Sequence, residues 1–221
     1  MNYSIAIDGP AGAGKSTIAK RIAEQLQFIY VDTGAMYRAM AIYFLDNKIS
    51  PENENAINEA CKDVKVRITY ENGAQQVILN DVNVTGRLRN EEVGTMASKT
   101  SVYPTVREKL VELQRELAKE NNVIMDGRDI GTCVLPNANL KIYLTASVDA
   151  RAKRRYDELV AKGENADYDV IAADIRERDE RDMNRDVSPL RQAEDAVLVD
   201  SSNMTIEEVV CRVQSLFEER K

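Results

Sequence analysis

A glycine-rich segment near the N-terminus has the residue types that hold a phosphate group. Residues 9–16 read GPAGAGKS, which fits the pattern G-x-x-x-x-G-K-[ST]. Glycines let the backbone wrap an anion so that successive N–H groups point inward, and a following helix adds the positive end of its dipole. We expect Lys15 to reach the β- and γ-phosphates of a nucleotide and Ser16 to bind Mg²⁺. The predicted nucleotide ligands are Gly9, Pro10, Ala11, Gly12, Ala13, Gly14, Lys15, Ser16 and Thr17.

Charged side chains also follow two further predicted strands. Residues 126–129 read DGRD, directly after an apolar segment. Ligands of open α/β sheets gather at the carboxyl ends of strands, so Asp126 and Arg128 should face the same crevice as the loop. Asp126 is placed to hold a water on Mg²⁺, and Arg128 to clamp a phosphate, although a surface ion pair is the alternative. Arg38, one turn into the helix after Asp32, is a second candidate, against an ordinary capped helix.

An arginine-rich segment provides a third set of cations. A helix over 173–185 would place four charged residues on one stripe, in line with Ile171 and Ile175: Arg178, Arg181, Asp182 and Arg185. Guanidiniums that extend an apolar stripe favour a helix that folds over an anionic ligand. A charge run of this kind is also typical of a solvated helix face, which is the competing interpretation.

The bulk composition narrows the class of protein. The 221 residues carry a net charge of −7 and contain no histidine, so imidazole bases and imidazole metal ligands are excluded. The acidic balance argues against non-specific nucleic-acid binding. The three cysteines lie far apart, and no apolar run is long enough to span a membrane. We expect a cytoplasmic monomer that binds neither nucleic acid nor a membrane.

The order of apolar segments predicts an α/β fold. Five buried strands near 3–8, 28–31, 122–126, 140–144 and 196–200 alternate with helices, which predicts an open parallel five-stranded P-loop sheet flanked by helices. Alternating segments within 64–84 predict a small antiparallel β insertion. We assign the core to about 1–35, 110–150 and 190–221, an acceptor-binding insertion to about 36–109, and a short helical lid to about 151–189. Thr205 and Glu208 predict a capping box for the last helix.

Together these motifs resemble bacterial cytidylate kinases over essentially the whole chain. The matching segments are GPAGAGKS at 9–16, DTGAMYR at 32–38, SKTSVYPTVRE at 98–108, DGRDIGT at 126–132 and RDERDMNRDVSPL at 178–190. The resemblance implies transfer of the γ-phosphoryl group of ATP to CMP and dCMP, with Mg²⁺ as the cofactor. One departure is Thr33, where the family commonly has Ser.

The resemblance also implies roles for individual residues. The residues that would bind CMP are Thr33, Arg38, Ser98, Arg107, Arg128, Asp129, Arg178, Asp182 and Arg185. Among these, Ser98, Arg107 and Asp129 would contact the cytosine base. Arg154 and Arg155 would belong to a mobile lid over ATP. The catalytic set would be Lys15, Arg128, Arg178 and Arg185, and the metal ligands Ser16 and Asp126.

Other functions of a phosphate-binding loop remain open at this stage. A switch GTPase would need an Asn-Lys-x-Asp motif, but Asn47-Lys48 is followed by Ile49 and Ser50. A kinase of another small acceptor, such as UMP, shikimate or dephospho-coenzyme A, shares the loop. A nucleotide-gated binding protein is the alternative outside the enzymes.

Overall fold

A computed structural model describes residues 2–220, which divide into two compact units. The first unit runs to Tyr30 and resumes at Asn121, and the second comprises Val31–Glu120. The finer division into core, insertion and lid remains a prediction. None of the helices in the described chain combines the length and the apolar character needed to cross a bilayer.

The described residues form eight strands and eight α-helices. The strands are β1 (Ser4–Asp8), β2 (Ile29–Asp32), β3 (Val66–Glu71), β4 (Ala74–Leu79), β5 (Val82–Asn83), β6 (Val123–Gly127), β7 (Leu140–Thr145) and β8 (Val197–Asp200). The helices are α1 (Lys15–Leu26), α2 (Thr33–Asp46), α3 (Glu54–Asp63), α4 (Glu91–Thr100), α5 (Pro104–Glu120), α6 (Val148–Ala161), α7 (Tyr168–Asn184) and α8 (Ile206–Glu218).

Within residues 2–220 the larger sheet has five strands in the order β2-β6-β1-β7-β8. β1 pairs in parallel with β6 and β7, and β7 pairs in parallel with β8. The central strands are apolar without alternation because helices cover both faces of a parallel sheet. Ile5, Ile7 and Ile124 are fully buried in a core that α1 and α8 complete. The predicted parallel sheet is confirmed.

The second unit contains the predicted antiparallel insertion. Across the described chain this smaller sheet has three strands in the order β3-β4-β5. β3 and β4 are joined at Asn72 and Gly73, whose φ angles of 51° and 76° suit a tight hairpin. Helices α3 and α4 were not predicted, although α3 has an Asn53 cap and buries Ile57, Ala60 and Cys61 along one face.

The arginine-rich helix differs from its prediction at both ends. It begins at Tyr168, where Asp167 accepts hydrogen bonds from the N–H groups of Asp169 and Val170. It ends at Asn184, so Arg185 is not on the helical stripe as predicted but follows the helix in an extended conformation. The N–H of Leu190 donates to the carbonyl oxygen of Asp182 at 2.8 Å, and this contact replaces a further helical turn.

Candidate active site

The phosphate-binding loop connects β1 to α1 and depends on glycine at three positions of positive φ. Gly9, Gly12 and Gly14 have φ angles of 150°, 75° and 91°. A Cβ atom on Gly9 would lie 1.9 Å from the carbonyl oxygen of Leu144 in β7. A side chain there would collide with backbone, and a positive φ is itself costly for other residues. Glycine is therefore required for the loop to leave β1 along this path.

Lys15 begins α1, and its side chain turns back into the loop. Its Nζ donates to the carbonyl oxygen of Pro10 at 2.7 Å, and the residue is 6% exposed. Burial, together with the charge of Arg128, lowers the pKa of Lys15 to about 7. The carboxylates of Asp126 and Asp182 act in the opposite direction. A phosphate close to this amine would restore its charge, because an opposite charge favours the ionised form.

Ser16 and Asp126, the two predicted metal ligands, lie side by side. The Ser16 hydroxyl donates to Oδ2 of Asp126 at 2.8 Å. The Tyr30 hydroxyl donates to the other carboxylate oxygen, Oδ1, also at 2.8 Å. Tyr30 was not anticipated, because its contact is with a residue 96 positions away in the chain. The hydroxyl and the carboxylate are hard oxygen donors of the kind that Mg²⁺ prefers.

Arg128 forms an ion pair with α7 in the first unit. Its Nε donates to Oδ2 of Asp182 at 2.7 Å, and both side chains are largely buried. Burial acts to lower the pKa of Arg128, but the charge and hydrogen bond of Asp182, with the charges of Asp126 and Asp179, together hold the pKa above its ordinary value. Burial acts to raise the pKa of Asp182, but Arg128, Arg178 and Arg185 together hold it below its usual range. The pair therefore stays ionised.

Arg185 folds back across the end of α7. Its Nε and Nη2 donate to the carbonyl oxygen of Ser188 at 2.8 and 2.5 Å, and Nη2 lies 3.7 Å from Oδ1 of Asp129. Asp129 and Arg185 have side chains that are 6% and 4% exposed. The turn after β6 thus contacts α7 through the Arg128–Asp182 pair, and the residue directly after α7 through the Asp129–Arg185 pair.

Asp8 is a buried carboxylate that the sequence analysis missed. Its two oxygens accept hydrogen bonds from the N–H groups of Ile130 and Gly131 at 2.8 and 2.7 Å. These N–H groups begin a short π-helix over Ile130–Val134, and Asp129 lies directly before it. Burial raises the pKa of Asp8 to about 6, despite the opposing backbone hydrogen bonds. The sequence did offer a signal for this residue, since Asp8 is a carboxylate at the end of an apolar strand and directly precedes Gly9.

The two arginines predicted to cover ATP lie in different surroundings. Arg154 donates from Nη2 to the carbonyl oxygen of Ser201 at 2.5 Å, and the hydroxyl of Ser201 donates to the carbonyl oxygen of Ala13 at 3.3 Å. Arg155 donates to Glu158 on the exposed side of α6. Arg154 is thus joined through Ser201 to the phosphate-binding loop, whereas Arg155 lies with a surface pair.

In the second unit, Thr33 and Arg38 belong to the first turns of α2. Asp32 caps this helix by accepting a hydrogen bond from the N–H of Ala35 at 3.0 Å. Thr33 is buried, and Arg38 directs Nη1 toward Gly34, where an added Cβ would lie 3.3 Å away. The helix start therefore brings together a hydroxyl, a guanidinium and the positive end of the α2 dipole, a combination that suits an anion.

Ser98 and Arg107 are both buried in the second unit. Arg107 is 3% exposed, and its Nη1 donates to the carbonyl oxygen of Ser101 at 3.2 Å. Its guanidinium lies 5.5 Å from the centre of the Tyr37 ring. The hydroxyl of Ser101 in turn donates to the carbonyl oxygen of Ser98 at 3.0 Å. Buried hydrogen-bonding groups beside an aromatic ring are typical of a site for a planar polar ligand.

A family model and curated relatives match nearly the whole chain. The model described as cytidylate kinase matches residues 5–219. A protein of Caldicellulosiruptor bescii named cytidylate kinase is 52% identical over 97% of this chain and 95% of its own length. Proteins of the same name from Carboxydothermus hydrogenoformans and Listeria welshimeri are 48% and 50% identical, over 95% and 98% of this chain and 94% and 96% of their own lengths.

Solved structures of lower identity share the fold. A shikimate kinase from Acinetobacter baumannii aligns with a TM-score of 0.50 at 16% identity, over 100% of this chain and 96% of its own. An uncharacterized protein from Eubacterium ventriosum aligns with a TM-score of 0.57 at 11% identity, over 99% and 100%. The sequence match covers every motif described above, and the chain belongs to the cytidylate kinase family.

Proposed function

We propose that this protein transfers the γ-phosphoryl group of ATP to CMP and dCMP, giving ADP and CDP or dCDP. The observation that carries the proposal is the family match over residues 5–219, together with relatives named cytidylate kinase that are about half identical over nearly their full length. We further propose that the protein acts in the cytoplasm as a monomer.

The loop of residues 9–16 is the proposed binding site for the ATP phosphates. Its positive-φ glycines allow the backbone N–H groups to converge on an anion, and the N-terminus of α1 adds a positive partial charge. Lys15 would exchange its hydrogen bond with Pro10 for one with a phosphate oxygen. Arg154, held at Ser201 beside the loop, is proposed as a further ATP ligand, and Arg155 as part of a mobile lid.

Ser16 and Asp126 fit a magnesium ion that accompanies ATP. Among the residues the structure describes, no group of three or more acidic or thiol side chains could hold a metal by itself. Mg²⁺ in nucleotide sites typically takes one or two protein oxygens and fills the other positions with phosphates and water. When bound, the ion would neutralise charge on the transferred group. The 2.8 Å hydrogen bond between Ser16 and Asp126 supports the proposal that both bind one ion.

The proposed acceptor ligands divide between phosphate and base. In the first unit, Arg128, Arg178 and Arg185 would bind phosphoryl oxygens, and Asp182 would keep Arg128 ionised and oriented. Asp129 would accept a hydrogen bond from the exocyclic amine of cytosine. In the second unit, Thr33 and Arg38 would contribute to phosphate binding, and Ser98 and Arg107 would donate to the acceptor atoms of the base.

The reaction needs no covalent intermediate and no strong base, because the acceptor is already a phosphate oxyanion. This agrees with a chain that has no histidine. The protein's part is to align the two nucleotides, to neutralise charge with Lys15 and the arginines, and to exclude water as a competing acceptor.

A panel of acceptors tests the proposal. ADP release is measured at fixed ATP and Mg²⁺ with CMP, dCMP, UMP, AMP and shikimate, each alone. We expect CMP and dCMP to give the highest kcat/KM and Lys15→Ala to abolish their turnover, while Arg21→Ala, an exposed cation on the same helix, leaves it unchanged. A preference for UMP, AMP or shikimate would refute the proposed acceptor.

A further inference from the structure

Arg151 is a buried cation that none of the proposed roles uses. It lies in the first turn of α6 and is 4% exposed. Its guanidinium makes hydrogen bonds in three directions. Nε donates to the carbonyl oxygen of Ala146 at 2.9 Å, and Nη1 donates to the carbonyl oxygen of Ala11 at 3.0 Å. Nη1 and Nη2 also form a two-pronged pair with Asp179 at 3.0 and 2.6 Å.

These three acceptors belong to three different parts of the first unit. Ala11 is in the middle of the phosphate-binding loop, Ala146 follows β7, and Asp179 is on α7. The aliphatic part of Arg151 also approaches the loop, since a Cβ atom on Gly12 would lie 3.4 Å from the Cβ of Arg151. One side chain therefore joins the loop, the end of a core strand and the arginine-rich helix.

The contact with Ala11 bears on the shape of the loop. For N–H groups to point at a phosphate, neighbouring carbonyl groups must point away from it, and a buried carbonyl without a partner is costly. Arg151 gives the carbonyl of Ala11 a charged donor on the outer side of the loop. Lysine in its place could not serve all three acceptors, because an ammonium is a point charge and lacks the planar fork of donors.

The contact with Asp179 bears on the position of α7. Asp179 follows Arg178 directly and precedes Asp182 by less than one turn, and it is 5% exposed. The pair with Arg151 therefore fixes the position and the rotation of this part of α7. The same part of the helix carries Arg178 and also Asp182, which pairs with Arg128. A buried, two-pronged ion pair has a narrow geometry, so it defines one arrangement more closely than apolar contacts do.

We infer that Arg151, through Asp179, is a positioning residue for phosphoryl transfer. It holds the phosphate-binding loop and α7 in one fixed arrangement, so that Lys15 on one side and Arg178 on the other act on the same phosphoryl group. The inference rests on the proposed function, since it assigns Arg151 to the machinery of that reaction. It is distinct from nucleotide binding by Arg154 and Arg155, because the guanidinium of Arg151 is already occupied by protein groups.

Two conservative variants separate the two contacts. Arg151→Lys keeps the positive charge but loses the planar set of guanidinium donors. Asp179→Asn keeps the size of the side chain but removes the negative charge that pairs with Arg151. Lys141→Met is the matched control, because Lys141 is another buried cation of the first unit. Its partners are Asp195 and the carbonyl oxygen of Pro136, which lie outside the loop and α7.

For each protein we would measure ATP affinity by calorimetry without acceptor, kcat and both KM values with CMP, and the melting temperature. We expect Arg151→Lys to weaken ATP binding and lower kcat by about tenfold each, since small misplacements of catalytic groups have large effects on rate. Asp179→Asn should lower kcat by about tenfold with ATP affinity within about threefold of the parent, because the Ala11 contact remains. Lys141→Met should lower the melting temperature alone.

The outcomes separate the inference from the proposed function. A parent enzyme that fails to phosphorylate CMP would refute the proposed function, whatever the variants do. A parent that is active, with Arg151→Lys and Asp179→Asn folded and within twofold of its kcat and ATP affinity, would overturn the inference alone. The inference would also be overturned if these variants and Lys141→Met lost the same activity for the same drop in melting temperature. Arg151 would then have a structural role only.

Discussion

At the scale of single residues, the candidate site consists of polar and charged side chains that pair with one another. Arg128 pairs with Asp182, Arg185 with Asp129, and Ser16 with Asp126. Each of these charged groups can make several hydrogen bonds at once, because a guanidinium has five N–H donors and a carboxylate has about four acceptor positions. The same side chains can therefore be oriented by the protein and bind substrate.

A substitution at Asp129 tests how the enzyme recognises the cytosine base. UMP has a carbonyl where CMP has an amine, so a carboxylate facing that position would meet an acceptor with no proton between them. We expect the parent enzyme to prefer CMP over UMP by about two orders of magnitude or more in kcat/KM. Asp129→Ala should reduce this ratio mainly through loss of CMP activity. If Asp129 only orients Arg185, both activities will fall in proportion and the ratio will stay fixed.

Asp8 gives the stability a defined pH dependence. Its pKa in the fold is about 6 against an ordinary 3.8, so the folded protein binds more protons there than the unfolded chain between these values. Its contribution to stability is therefore full below pH 3.8 and is lost as the pH rises through about 6. We expect the unfolding free energy of the parent, minus that of Asp8→Asn, to fall over this interval.

Two charged neighbours bear on this measurement, because Asp8 and Lys15 shift each other's pKa and Asp129 raises the pKa of Asp8. The pKa of Lys15, at about 7, lies above the interval. In Asp8→Asn the side-chain NH₂ group would face a backbone N–H that Asp8 binds in the parent. That destabilisation does not change with pH, so the result depends only on the slope of the free-energy difference against pH. A difference that stays level or rises between pH 4 and pH 6 would show that burial does not raise the pKa of Asp8.

The site residues that sequence could predict are those with local motifs. The loop of residues 9–16 and the DGRD turn have residue types and spacings that indicate their chemistry directly. Tyr30, Asp8 and Asp179 have no such motif, because their partners lie 96, 122 and 28 positions away. Their roles depend on strand order and helix docking, which a single sequence does not contain.

At the scale of elements, the central strands were predicted to within a few residues, whereas α3, α4 and the exact end of α7 were not. β1, β6 and β7 have continuous apolar runs because both faces of the sheet are covered. The end of α7 was predicted one residue too far, since Arg185 continues the charge pattern beyond the residue where the backbone leaves the helix. The N–H of Leu190 binds the carbonyl oxygen of Asp182 at this end of the helix, and the periodicity of the sequence does not indicate such a contact.

The start of α8 provides a test at this scale. The Thr205 hydroxyl accepts from the N–H of Glu208 at 3.2 Å, and a Glu208 carboxylate oxygen accepts from the N–H of Thr205 at 2.8 Å. We expect Thr205→Ala to lower the unfolding free energy by about 1 kcal/mol in urea titrations, because the cap is lost. Ser215→Ala, which removes a hydroxyl from the last turns of the same helix, should have little effect. Equal effects from the two variants would argue against the capping role.

At the scale of the whole molecule, an acidic protein gathers several of its cations at the candidate site. The net charge is −7, yet arginines and Lys15 converge near the carboxyl ends of β1 and β6. These cations, each beside a carboxylate, are concentrated where phosphates are proposed to bind, while the net negative charge of the chain disfavours polyanions. This distribution suits small, phosphorylated substrates and agrees with the family to which the chain belongs.

The stoichiometry of the products is the most direct test of the proposed reaction. The purified protein is incubated with ATP, Mg²⁺ and CMP, and all phosphorus species are followed by ³¹P NMR. We predict that one CDP appears for each ADP, that inorganic phosphate stays at the background level, that omitting CMP stops ADP formation, and that Lys15→Ala gives neither product. Release of ADP with inorganic phosphate at the same rate with and without CMP would contradict the account, because the protein would then hydrolyse ATP and not phosphorylate CMP.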